Sequence, residues 1–149
     1  MVRPAARPWH PRRDDPSRPT SPGRTAALAA GLDVCCIVVF VAIGRSSHHD
    51  GLTVGGMLST SWPFAVGALC GWTAGRAWRR PVPVVPAGVT IWVICVAVGM
   101  VLRVAAGQGT AVAFVIVAFG FLGLAFLGWR GAMLGGARLV GIRKDGPAG

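Results

Sequence analysis

Asp33 is the residue whose type and place most need a chemical explanation. It follows Arg24 by nine positions and sits inside an apolar run from about Ala26 to Gly44. At the centre of a membrane-spanning helix an Asp costs about 2.5–3.5 kcal/mol on insertion scales. Ile37, Val38, Val39, Phe40, Val41 and Ile43 offset part of that. Such an acid is either functional, as a proton or ion carrier, or structural, bonded to a neighbouring helix. At 1.5 Å per residue it lies roughly 10 Å inside one edge, at nearly the depth of Thr90, with Thr73 and Arg76 a little lower. Arg103 is the second candidate, near the far end of a later apolar run and roughly 15–20 Å from Asp33 by the same arithmetic, so the two should not pair. It either snorkels to the surface or joins an outward polar cluster with Arg45, His48, His49, Asp50 and Gln108. Two adjacent histidines and an Asp can bind a divalent metal or sense pH, but a solvated loop is the plainer reading. Cys35, Cys36, Cys70 and Cys95 all lie in apolar runs and read as buried thiols rather than disulfides; Cys35, Cys36 and Cys95 fall at similar depth, but no Cys-x-x-Cys pair makes them a metal site. No nucleotide loop, HExxH, GxSxG or Ser/His/acid spacing is present. Hence no catalytic residue, metal or cofactor is expected.

These residues need helices to hold them, and the composition indicates which kind. Of 149 residues, 53% are hydrophobic and 13% charged, about half the charged share of a soluble domain. Residues 1–25 form a basic, proline-rich tail with too little apolar surface to fold. Four apolar segments follow, at about 26–44, 56–78, 84–104 and 111–130, and each is long enough to cross a bilayer as a helix. They lack the alternation of barrel strands. Residues 135–149 read as a second basic tail. The connections are short, so neighbouring helices run antiparallel. The expected fold is therefore an all-α integral membrane four-helix bundle over residues 26–134.

The net charge of +10 is distributed by side. Thirteen Lys and Arg residues flank one side, while Arg45 and Arg103 stand on the other. The positive-inside rule places both termini in the cytoplasm. Trp78 and Trp129 fall where an interfacial aromatic belt would be. No nucleic-acid motif accompanies the charge, so its expected partners are the lipid bilayer and the anionic lipids of the cytoplasmic face.

The second segment repeats small residues or proline every fourth position: Gly55, Ser59, Pro63, Gly67, Gly71 and Gly75. Gly67-x-x-x-Gly71-x-x-x-Gly75 lets another backbone come close, either within the chain or in a homo-oligomer. Pro63 should kink the helix.

The order of Asp33, Phe40, Gly44-Arg45, His48, Trp62-Pro63-Phe64, Gly67, Gly71-Trp72, Arg79-Arg80, Arg103, Gly107 to Phe114 and Gly128-Trp129-Arg130 resembles DUF3054. That is a family of small four-span membrane proteins, catalogued as a domain of unknown function, from high-GC bacteria and halophilic archaea. The resemblance covers about residues 26–134. It implies the four-span fold and a bacterial plasma-membrane location, and it implies no activity. Asp33, His48, Pro63 and Arg103 fall on its characteristic positions.

Three functions fit the residues. The first is a structural or accessory membrane subunit that uses the glycine face and basic tails to hold a membrane-protein partner or anionic lipid. The second is a small transporter, channel or proton-coupled component built on Asp33. The third, a membrane enzyme acting on lipid or quinone, rests only on His48, His49 and Asp50.

Overall fold

A computed structural model of the chain describes residues 22–47 and 52–144. Among them there are four long helices and no strand: α1 (Pro22–Ser47), α2 (Val54–Ala74), α3 (Val89–Ala105) and α4 (Val112–Lys144). Each helix packs on its sequence neighbour, and α4 closes back onto α1, giving the all-α bundle. The expectations for residues 1–21, His48, His49, Asp50 and 145–149 lie outside the described residues.

Local chemistry sets the helix ends. Pro22 opens α1, in the first turn where its missing N–H breaks no hydrogen bond. Thr53 caps α2: its Oγ1 accepts from the Gly56 N–H at 3.2 Å. That helix ends at Ala74, four residues short of the expected Trp78. The reason is a two-bond closure, with the Ala77 N–H donating to the Trp72 carbonyl at 3.0 Å and the Arg76 N–H to the Thr73 carbonyl at 3.2 Å. Arg76 takes the left-handed conformation this closure requires, with φ of 46°. A short irregular turn, Val84–Gly88, then leads into α3, and Val85 is extended (φ −117°, ψ 132°) as its position before Pro86 favours. At the other end of the chain α4 runs on through 131–144, where a tail was expected from 135. No proline interrupts this stretch before Pro147, and Ala132, Met133, Leu134, Ala137 and Arg138 are all good helix formers.

α2 and α3 make the most intimate pair in the bundle. A Cβ built on Gly67 would run into the Cys95 carbonyl, and one built on Gly71 would lie 2.7 Å from Ile91 Cα. The glycine face predicted from the fourfold spacing therefore seats α3 of the same chain. Gly75 is looser, with its nearest side-chain neighbour Thr90 at 3.4 Å. Pro63 lies buried inside an uninterrupted α2, near the Phe64 carbonyl that accepts from Cys95 Sγ at 3.3 Å. Phe40 is the hub of the core: its ring meets Phe64 edge-on at 5.4 Å, Phe114 at 5.9 Å and Phe121 at 5.6 Å.

The outer faces are as apolar as the core. Leu28, Val54, Val101, Val112, Ile116 and Leu124 are all more than half exposed. Three helical stretches are long and apolar enough to cross a membrane: Gly23–Ser46, Val84–Ala105 and Val112–Arg138. Apolar surface on this scale needs a partner or lipid to cover it. α2 is not among those three stretches: it carries no charged residue, but Ser59, Thr60, Ser61 and Thr73 interrupt it and its glycines replace larger apolar groups.

Candidate functional site

Three of the four helices, α1, α2 and α4, converge on Asp33. Its side chain is buried, at 1% exposure, and every bond it makes comes from another segment. Arg130 of α4 grips it with both terminal nitrogens, Nη1 to Oδ1 at 2.8 Å and Nη2 to Oδ2 at 2.7 Å. Trp72 of α2 donates its indole N–H to Oδ2 at 2.9 Å, and Trp129 of α4 donates its own to Oδ1 at 3.0 Å. Each carboxylate oxygen thus accepts two N–H bonds, one from a guanidinium and one from an indole.

Arg130 is satisfied just as fully at 0% exposure. Its Nε donates to the Pro81 carbonyl at 3.1 Å, and Nη1 donates a second bond to the Phe126 carbonyl at 3.0 Å. The guanidinium carbon stands 4.3 Å from the Trp129 ring centroid, a cation–π contact. Gly88 makes room for the side chain, because a Cβ there would lie 2.9 Å from Arg130 Cδ. The ion pair therefore ties α1, α2, the 75–83 connection, the Val84–Gly88 turn and α4 into one end of the bundle. A planar, bidentate pair whose remaining donors are also bonded is the arrangement that makes a buried charge tolerable.

Several expectations need correction against this geometry. Depth arithmetic nominated Thr90, Thr73 and Arg76 as neighbours for Asp33. Instead Thr73 Oγ1 bonds back to the Leu69 and Cys70 carbonyls of its own helix, and Arg76 is exposed. Arg130, counted as one of the cytoplasmic-side charges, is the partner. Trp129, read as a belt residue, turns its N–H inward, whereas Trp78 remains about half exposed. Of the thiols expected to be buried, only Cys95 is; Cys35 is exposed and Cys36 and Cys70 are half-buried. Among the described residues no group of His, Cys and Asp is placed to hold a metal.

Arg103 lies apart from Asp33, as the arithmetic required. It is buried at 8% exposure and does not snorkel outward. Nη1 donates to Gln108 Oε1 at 2.8 Å, Nη2 donates to the Gly109 carbonyl at 3.0 Å, and the guanidinium carbon stands 4.4 Å from the Phe114 ring centroid. Gln108 in turn donates to the Ser59 carbonyl at 2.9 Å, linking the α3–α4 connection to α2. Arg45 reaches α2 as well, with Nη1 donating to Thr60 Oγ1 at 3.3 Å. Arg45, Arg103 and Gln108 thus gather at one end of the bundle; His48, His49 and Asp50, the rest of the expected cluster, lie outside the described residues.

The indole bonds to Asp33 have a measurable worth. Trp72→Phe keeps the ring and removes one N–H donor to a charged acceptor, so it should lower stability by about 1.5 kcal/mol in equilibrium unfolding from detergent micelles. An unchanged unfolding midpoint would mean that the bond contributes nothing.

A helical bundle with lipid-like outer faces, pinned internally by one fully bonded Asp–Arg pair, is the class of protein that the fold and site define. Residues 30–133 match the family described as "Protein of unknown function (DUF3054)", and the chain belongs to that family. The matched stretch contains Asp33, Trp72, Arg103, Trp129 and Arg130. Neither the curated proteins nor the solved structures contain a match to the chain.

Proposed function

We propose that the chain is a four-span integral membrane protein of the bacterial plasma membrane, with both termini cytoplasmic, that acts as a structural or accessory subunit. Asp33 is its internal latch. The observation that carries this reading is the complete bonding of Asp33: a carboxylate held by four N–H donors from two tryptophans and an arginine has no open oxygen to offer a passing ion. The fourth span is α2, whose 21 residues reach about 30 Å. Its weaker hydropathy follows from the small residues that seat it against α3. Anionic lipids at the arginine-rich end and a membrane-protein partner or second copy on the exposed apolar faces are the associations this role calls for.

Counting spans tests the topology. Three crossings put the termini on opposite sides, whereas four put them on the same side. A fluorescent protein that folds only in the cytoplasm should light up when fused to either terminus. Alkaline phosphatase, active only outside, should work when inserted after Gly107. Opposite behaviour of the two termini would remove α2 as a span.

A second reading, a small transporter, channel or proton-coupled component, draws on one observation. Asp33 borders a cavity of about 350 Å³ lined by Ala30, Val34, Ala68, Leu69 and Trp72. That cavity is almost wholly apolar, and the carboxylate at its edge is already bonded.

A further inference from the structure

A second cavity, of about 530 Å³ and open on one side, lies between α1, α2, α3 and α4 at the Arg103 end of the bundle. That volume is within the range of small-molecule sites. Its walls are of two kinds. Phe40, Phe114, Phe121 and Val117 supply apolar surface, while Arg45, Thr60 and Arg103 supply polar groups.

Arg103 carries the argument. It is more than nine-tenths buried, and its Nε has no hydrogen-bond partner. Both acceptors of its terminal nitrogens, Gln108 and the Gly109 carbonyl, are neutral. Asp33 is the one acid among the described residues, and Arg130 already holds it. A buried guanidinium with an unused donor and no carboxylate among the described residues is costly unless an anion joins it. Arg130 differs, since its Nε, Nη1 and Nη2 are all bonded.

We propose that this cavity binds an anionic amphiphile. Its oxyanion head group, carboxylate or phosphate, sits on Arg103 beside Arg45, and its apolar chain lies against Phe40, Phe114, Phe121 and Val117. Guanidinium suits both head groups because its planar fork matches two oxygens. The apolar walls select a head group that carries a chain over a free anion. Val117 is exposed on the outer face of α4, so the chain has a lateral route from a surrounding bilayer.

The test is native mass spectrometry of the full chain released from a neutral detergent, titrated with palmitate, with dioleoyl phosphatidic acid, and with acetate and inorganic phosphate as chainless controls. The expected result is one saturable adduct with palmitate or phosphatidic acid; whichever binds more tightly identifies the head group. Arg103→Gln should weaken that adduct at least tenfold. Because Arg103→Gln removes a buried side chain, Val117→Trp provides an independent variant: it fills the cavity from the exposed side and should also abolish the adduct. The proposal is overturned by the absence of a saturable amphiphile adduct, by binding that neither substitution changes, or by acetate or phosphate binding as tightly as the chain-bearing ligands.

Discussion

Arg130→Gln is expected to lower the unfolding free energy by about 3–5 kcal/mol, because it leaves the Asp33 charge buried and uncompensated. Asp33→Asn should cost a similar amount by stranding the Arg130 guanidinium, whose Nη1 and Nη2 both donate to the carboxylate now. The double variant Asp33→Asn/Arg130→Gln is the informative one. It removes both charges at nearly constant shape, and the Asn carbonyl still offers an acceptor to one of the two indoles, which donate to different oxygens of Asp33. Its loss should fall short of the sum of the two single losses by about 2 kcal/mol, the coupling expected of residues in direct contact. Equilibrium unfolding in mixed micelles measures all four states of this cycle. Single variants within about 0.5 kcal/mol of wild type would show that the pair holds nothing together, since that is the size of an ordinary surface substitution.

Gly67→Leu should be nearly as damaging, by about 3 kcal/mol or more, because even a methyl at that position meets the Cys95 carbonyl of α3. The obstacle is backbone rather than a side-chain tip, so α2 and α3 must separate along their length. Gly67→Ala should cost about 1–3 kcal/mol for the same reason. Gly31→Ala in α1 is the matched control: nothing lies within 4 Å of its Cβ position. There the loss of glycine's flexibility should raise stability by about 0.5–1 kcal/mol. Equal effects at Gly67 and Gly31 would mean that the close approach of α2 to α3 does not hold in the folded protein. The same variants report on self-association. Gly67 and Gly71 are already covered by α3, so a dimer formed through the exposed apolar faces should keep its oligomeric state in folded Gly67→Ala.

Much of the architecture was legible because its signals are local. Four apolar runs, prolines at their boundaries and a small residue every fourth position in α2 are all read directly from spacing. The separation of Arg103 from Asp33 followed from the rise per residue. The partner of Asp33 did not, and the reason is physical. Arg130 was assigned to the cytoplasmic flank by its place at the end of an apolar run. However, an arginine side chain is long enough to reach back into the bundle, and α4 continues as helix beyond it to Lys144. The signal was present in the triplet Gly128-Trp129-Arg130, which sets an indole donor and a guanidinium side by side, and in Gly88, whose missing side chain leaves space for Arg130. Neither points to Asp33 without the fold. Helix ends were similarly half-legible. The end of α2 at Ala74 depends on Arg76 adopting a left-handed conformation, for which composition offers glycine one residue earlier as the better candidate. Trp129 shows the same limit: an indole at a helix end looks the same in sequence whether its N–H faces a head group or a buried carboxylate.

The claim at the centre of this account is that Asp33 is a latch and not a carrier. Proton and ion flux in proteoliposomes, comparing wild type with the Asp33→Asn/Arg130→Gln double variant at matched folding, tests it most directly. Both proteins should show the same background flux, since the pair serves only to hold the helices together. Flux through the wild type that disappears in the folded double variant would contradict it and make Asp33 a conducting residue.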